Sequence, residues 1–164
     1  MTETDNTTLI NNSNYSDLLH NIGDELELGR KRVVASVNSA MVETYWHIGQ
    51  HIVEYEQKGN EKAEYGSDIL NKLSHDLTVL YGKGFSHSNL IYIRKFYLIY
   101  KKSQTVSDFL SWSHYVELLK IDDPLERSFY EKQTELEHWG VRELKRQIRS
   151  MLFHRLALST NKET

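Results

Sequence analysis

"YGKGFSHSNLIYIRKFY", Tyr81–Tyr97, holds two of the chain's eight glycines, a run of aromatic and basic residues, and no acid. Its reading decides the fold. An apolar helical stripe runs into it from upstream, so Gly82 or Gly84 is placed to end that helix in the left-handed conformation. Ser86 then stands where a hydroxyl can accept from the first free backbone N–H groups of a new helix, expected from His87 to about Lys102. The stretch therefore reads as helix, turn, helix.

The same signals extend outward on both sides. Upstream, Ile69, Leu70, Leu73, Leu77 and Leu80 recur at helical spacing, with Ser67 as the expected cap. Before the polar connector around Gly59 and Gly66, residues 16–57 carry two apolar stripes. One holds Leu18, Leu19, Ile22 and Leu26, then Val34, Val37, Met41, Tyr45, Ile48, Ile52 and Tyr55; the other holds Val33, Ala40, Trp46, Gly49 and Val53. A helix with two apolar faces is sandwiched in its own domain or shared with a second chain. A break at Gly23 or Gly29 would divide this segment into a short helix and a long one.

Downstream, "LSWSHYVELLKI" (110–121) reads as a short helix. Asp123-Pro124 with Glu126 supplies a cap residue, a proline at the first helical position and a carboxylate in the first turn, starting a helix that should run to about His138. Gly140 precedes a last helix with Val141, Leu144, Ile148, Leu152 and Leu156 on one face. Pro124 is the only proline, and alternating β-branched runs are scarce. The expected fold is all-α: a disordered tail at 1–14, one helical domain over 15–158 with a helix-turn-helix-like unit, and a tail at 159–164.

Composition limits the function. There is no cysteine, which excludes disulfide and thiol chemistry and makes the cytoplasm the default compartment. No apolar run reaches the length of a membrane span, and the N-terminal stretch lacks the pattern of a signal peptide. The net charge is −3, but it is unevenly spread. Residues 77–107 carry five bases and no acid, and the segment from 138 onward is also net positive.

These two basic islands define the candidate site. In the first, Lys83 and the capping Ser86 suit phosphate contacts, while Ser88, Asn89, Tyr92, Arg94, Lys95 and Lys102 lie away from or beside the expected core face of Leu90, Ile93 and Phe96. In the second, Arg142, Lys145, Arg146 and Arg149 lie opposite Val141, Leu144 and Ile148. Four cations on one helical face can each release a counterion from duplex DNA. The plain alternative is a solvated surface paired with the acidic 117–137 segment.

Three other patterns carry no chemistry. His47 and His51 are one turn apart, but Ile48 stands where a zinc protease needs glutamate and no third ligand is evident. "GKG" falls short of a phosphate loop. Glu143-Leu144-Lys145, with Asp122 or Asp123 upstream, copies the spacing of metal-dependent nucleases, yet Glu143 sits in a helical first turn, where a negative charge is favoured anyway. No catalytic residue, metal ligand or cofactor is expected.

"VNSAMVETYWHIGQHIVEYEQKG", "YGSDILNKLSHDLTVLYGKGFSHSNLIYIRKFY", "LSWSHYVELLKI" and "ELEHWGVRELKRQIRSMLFHRL" occur in that order between about residues 30 and 156. Together they resemble the N-terminal domain of YhcG-type proteins. In that family the domain precedes a nuclease domain of the PD-(D/E)XK class, so the resemblance implies DNA processing, with this part as a recognition or assembly module. This chain ends at Thr164, where that nuclease domain would begin, and catalysis is not carried over. The expected partners are duplex DNA, a second copy of the chain in a dimer, and a PD-(D/E)XK nuclease domain. The competing expectation is an interaction module without direct DNA contact, in which the 30–57 helix dimerises and Ile91, Leu98 and Ile99 meet a partner.

Overall fold

A computed structural model describes residues 4–58, 66–100, 107 and 109–161. Among them are seven α-helices and no strand: α1 (Thr4–Lys58), α2 (Gly66–Tyr81), α3 (His87–Ile99), α4 (Trp112–Leu119), α5 (Pro124–Glu137), α6 (Val141–Arg149) and α7 (Leu152–Thr160). The all-α expectation holds. The helix ends follow the local chemistry closely. Gly82 (φ 86°) and Gly84 (φ 110°) take the left-handed region between α2 and α3, where a side chain would be strained. The Ser86 hydroxyl accepts from the Asn89 N–H at 3.2 Å, and the Asp123 carboxylate accepts from the Leu125 N–H at 3.0 Å ahead of Pro124.

Several boundaries differ from expectation. α1 runs through Gly23 and Gly29 without a break and begins at Thr4. A glycine lowers helix stability by only about 1 kcal/mol, which a long helix absorbs. α2 starts at Gly66, so Ser67 lies inside it. Leu80 is 69% exposed rather than buried, beside the equally exposed Val79 and Tyr81. α3 stops at Ile99, capped by the Tyr100 N–H on the Phe96 carbonyl, and Lys102 lies outside the described residues. The expected single last helix is two: Met151 adopts φ 55° after Ser150, and α7 starts anew.

The chain forms two units, residues 1–37 and 38–164, and α1 contributes to both. In the first unit the apolar side chains of α1, from Tyr15 to Val37, are exposed. In the second, the larger core gathers Val42, Phe96, Leu110, Tyr115, Leu118, Leu119, Ile121, Tyr130 and Leu144. A smaller one joins Ile52, Leu70, Leu90 and Ile93. α1 and α3 approach closely at Gly49, where an added Cβ would stand 2.5 Å from the Ile93 carbonyl oxygen and 2.9 Å from the Tyr97 Cβ. Trp46 secures the same crossing by donating its Nε1–H to the Tyr100 carbonyl at 3.0 Å.

Candidate nucleic-acid interface

The basic island on α3 is largely absorbed by the fold. Leu90, Ile93 and Phe96 are fully buried, as their spacing predicts. On the borders of that face, the Asn89 amide donates to the Gly84 carbonyl at 2.6 Å and its Oδ1 accepts from Trp112 Nε1 at 2.8 Å. Both ends of the amide are thus spent on the turn and on α4. The Arg94 guanidinium grips the Glu56 carboxylate of α1, with Nε 2.9 Å from Oε1 and Nη2 2.8 Å from Oε2. Lys95 reaches Asp122 at 3.3 Å. Tyr92 is half-buried against the larger core. Ser88 and Lys83 remain exposed, and Ser86 uses its hydroxyl as the cap.

α6 is arranged differently. Leu144 is fully buried and Ile148 packs against the core, while Arg142, Lys145, Arg146 and Arg149 are exposed. Arg142 makes no ion pair with the described residues. Arg146 pairs with Glu143 on its own helix at 2.8 Å, and its side chain stays 71% exposed. Lys145 lies 3.6 Å from Glu117 of α4, which also takes Lys120 at 2.8 Å. The bond from Arg146 holds the Glu143 carboxyl below its usual range, helped by the Gln147 amide. Glu143 is therefore a local helix-start carboxylate in place. Among the described residues no group of three or more His, Asp or Glu could hold a metal ion, and His47 lies 3.8 Å from Glu43.

Buried hydrogen bonds set where α6 sits. The Ser111 N–H donates to His114 Nδ1 at 3.1 Å, which leaves the proton on Nε2 to donate to the Trp139 carbonyl at 2.8 Å. That bond ties the start of α4 to the three-residue turn His138–Gly140 from which α6 begins. Burial pushes the His114 imidazole below its ordinary range, which favours the neutral ring. His138, at φ 52°, ends α5 in the left-handed region and lets α6 turn off sharply. Tyr130 locks the other end: its hydroxyl reaches the Gln147 carbonyl at 3.5 Å and accepts from the Phe153 N–H at 3.2 Å.

Residues 21–155 match the family described as the DUF1016 N-terminal domain. The chain belongs to the DUF1016 N-terminal domain family. It is 35% identical to "Putative nuclease YhcG" of Escherichia coli (strain K12), in an alignment covering 90% of this chain and 48% of that protein. The chain thus spans about half the length of this curated relative. No solved structure matches it at a significant level. No helix of the described residues is long and apolar enough to cross a membrane.

Sequence reasoning overlooked two features of this DUF1016 domain. Arg155 on α7 donates to the Ser150 hydroxyl at 3.2 Å, which adds a cation beside the end of α6. A left-handed methionine has no sequence signature, so nothing marked that return. Half-buried Glu131 accepts from the Tyr100 hydroxyl at 2.8 Å, and burial raises its carboxyl above the usual range. Periodicity assigns such a residue to solvent, and only its neighbours reveal otherwise.

Proposed function

We propose that this domain is a non-catalytic duplex-DNA-binding module that serves a nuclease in DNA processing, and that α6 carries its contact face. The observation that supports the reading is the solvent-facing set Arg142, Lys145, Arg146 and Arg149 on a helix whose other face is anchored by Leu144. The sequence points to the α2–α3 corner, with 87–102 as the recognition helix. Because Asn89 and Arg94 are engaged in packing there, the helix-turn-helix-like role is assigned instead to the corner α5–His138-Trp139-Gly140–α6, with α6 as the second helix presented to the groove or its phosphates. Exposed Lys83 and Ser88 on the α2–α3 corner are secondary contacts, as is Lys95, whose partner Asp122 is fully solvated, whereas Asn89 and Arg94 serve mainly to build the domain. The nuclease link rests on the relative's name and on the family membership. A labelled random duplex titrated with the protein at low salt tests the reading by fluorescence anisotropy. Affinity in the micromolar range that falls steeply with salt is expected. No binding tighter than about 10⁻⁴ M, the weak end of non-specific affinity, would dismiss it.

A second reading has an observation of its own. A shallow groove of about 380 Å³ runs between α1, α2 and α3, lined by apolar Leu70, Ile91 and Leu98 and by polar groups that include Glu56, Arg94 and Lys95. Ile91 is 42% exposed there. An apolar side chain of a partner protein would fit it, and Ile91→Asp would then abolish that association while leaving DNA affinity unchanged.

A further inference from the structure

The first unit carries on α1 a row of residues, exposed except for partly buried Gly29, whose spacing is the same in both directions. Leu18, Ile22, Leu26, Gly29, Val33 and Val37 follow at steps of four, four, three, four and four residues. At 3.6 residues per turn they stay within an arc of roughly 100°, the width of an apolar helix face. The five aliphatic members are between 49% and 63% exposed. A helix of this kind is stabilised in water by covering such a face.

We propose that this face pairs with the same face of a second copy of the chain in an antiparallel, two-fold arrangement. A two-fold axis between Leu26 and Gly29 sets Leu18 opposite Val37 of the second copy, Ile22 opposite Val33, and Leu26 opposite Gly29. At every level the larger side chain meets the smaller. A Cβ built on Gly29 would meet nothing within 4 Å, so room for the opposing Leu26 is already present. Charge agrees with size. Glu25 and Arg32 border the row on the same edge, and antiparallel pairing brings like edges together, so each Glu25 lies beside an Arg32 of the other copy. Parallel pairing in register would instead stack Gly29 on Gly29 and leave a void. With the acids Asp17, Asp24, Glu25 and Glu27 set against Arg30, Lys31 and Arg32, residues 15–37 carry no net positive charge to draw them to an anionic lipid surface. Pairing of this face is independent of whether α6 binds DNA.

Because the chain has no cysteine, introduced thiols are unambiguous reporters. Sedimentation equilibrium on the full chain is expected to give a dimer, and Leu26→Asp to weaken it by about 100-fold or more. Thermal unfolding of the second unit should not change, since Leu26 lies in the first. Under oxidation, Leu18→Cys mixed with Val37→Cys should form a heterodisulfide, while each variant alone forms none. In the antiparallel pair two Leu18 positions are roughly 28 Å apart. A monomeric wild type overturns the proposal, and so does Leu18→Cys linking efficiently to itself, which reports a parallel pair.

Discussion

α3 and α6 carry the two basic islands, and they differ in what became of their charges. On α3, Arg94 is held by half-buried Glu56 from 38 residues away, while Lys95 meets the exposed Asp122 from 27 residues away. Asn89 is spent on Trp112 and Gly84. On α6 the acids within reach are Glu143, on the same helix, and Glu117, already shared with Lys120. A cation gripped bidentately by a half-buried carboxylate must break that pair before it can reach a phosphate. Arg142, which makes no ion pair among the described residues, and Arg146, which stays 71% exposed on its own helix, give up little. Similar sequence signals thus end as a structural joint in one helix and an available surface in the other.

The largest test of this contrast is charge reversal on each helix. Arg142→Glu with Arg146→Glu should reduce duplex affinity by about 100-fold or more at low salt, and lower the slope of log affinity against log salt by roughly 0.9 for each phosphate no longer neutralised. Arg94→Glu with Lys95→Glu should change that slope less, while lowering the melting temperature because Glu56 loses its partner. Equal slope changes in the two double variants, measured by anisotropy titration, would erase the distinction.

Stability measurements sharpen the structural side. Gly49→Ala should destabilise by about 1–3 kcal/mol in denaturant unfolding, because the new methyl group meets the Ile93 backbone, which has little room to move. Arg94→Ala should cost about 1–2 kcal/mol, reflecting a partly desolvated Glu56 left without its hydrogen bonds. Asn89→Ala should cost about 1 kcal/mol and leave DNA affinity nearly unchanged, the opposite of what a base-reading residue would show.

The smallest effect concerns pH and the anchor of α6. Burial lowers the affinity of His114 for a proton in the folded state, so the unfolded chain binds protons more readily. The contribution of this group to stability is complete above the ordinary imidazole range and is lost as pH falls through it. Melting temperatures taken from roughly pH 8 to pH 5 should therefore decline more for the wild type than for His114→Gln. An unchanged pH profile in the variant would mean that His114 does not couple the α6 anchor to protonation.

Much of the secondary structure was legible because its determinants are local. Ser86, Asp123-Pro124 and Gly140 start helices, and Gly82 with Gly84 turns the chain, through backbone geometry and bonds spanning only a few residues. The break at Met151 was not legible, since a non-glycine residue at φ 55° is held there by its surroundings, among them the Tyr130 hydroxyl on the Phe153 N–H. Both basic islands were also visible in the sequence, including the opposition of Arg142, Lys145, Arg146 and Arg149 to Leu144 and Ile148. The sequence by itself therefore determined the all-α architecture, most helix ends and the location of positive charge. Which of those charges stay available was decided by tertiary structure. Neutralisation depends on distance in space, and Glu56 and Asp122 come within reach of Arg94 and Lys95 only after the helices pack.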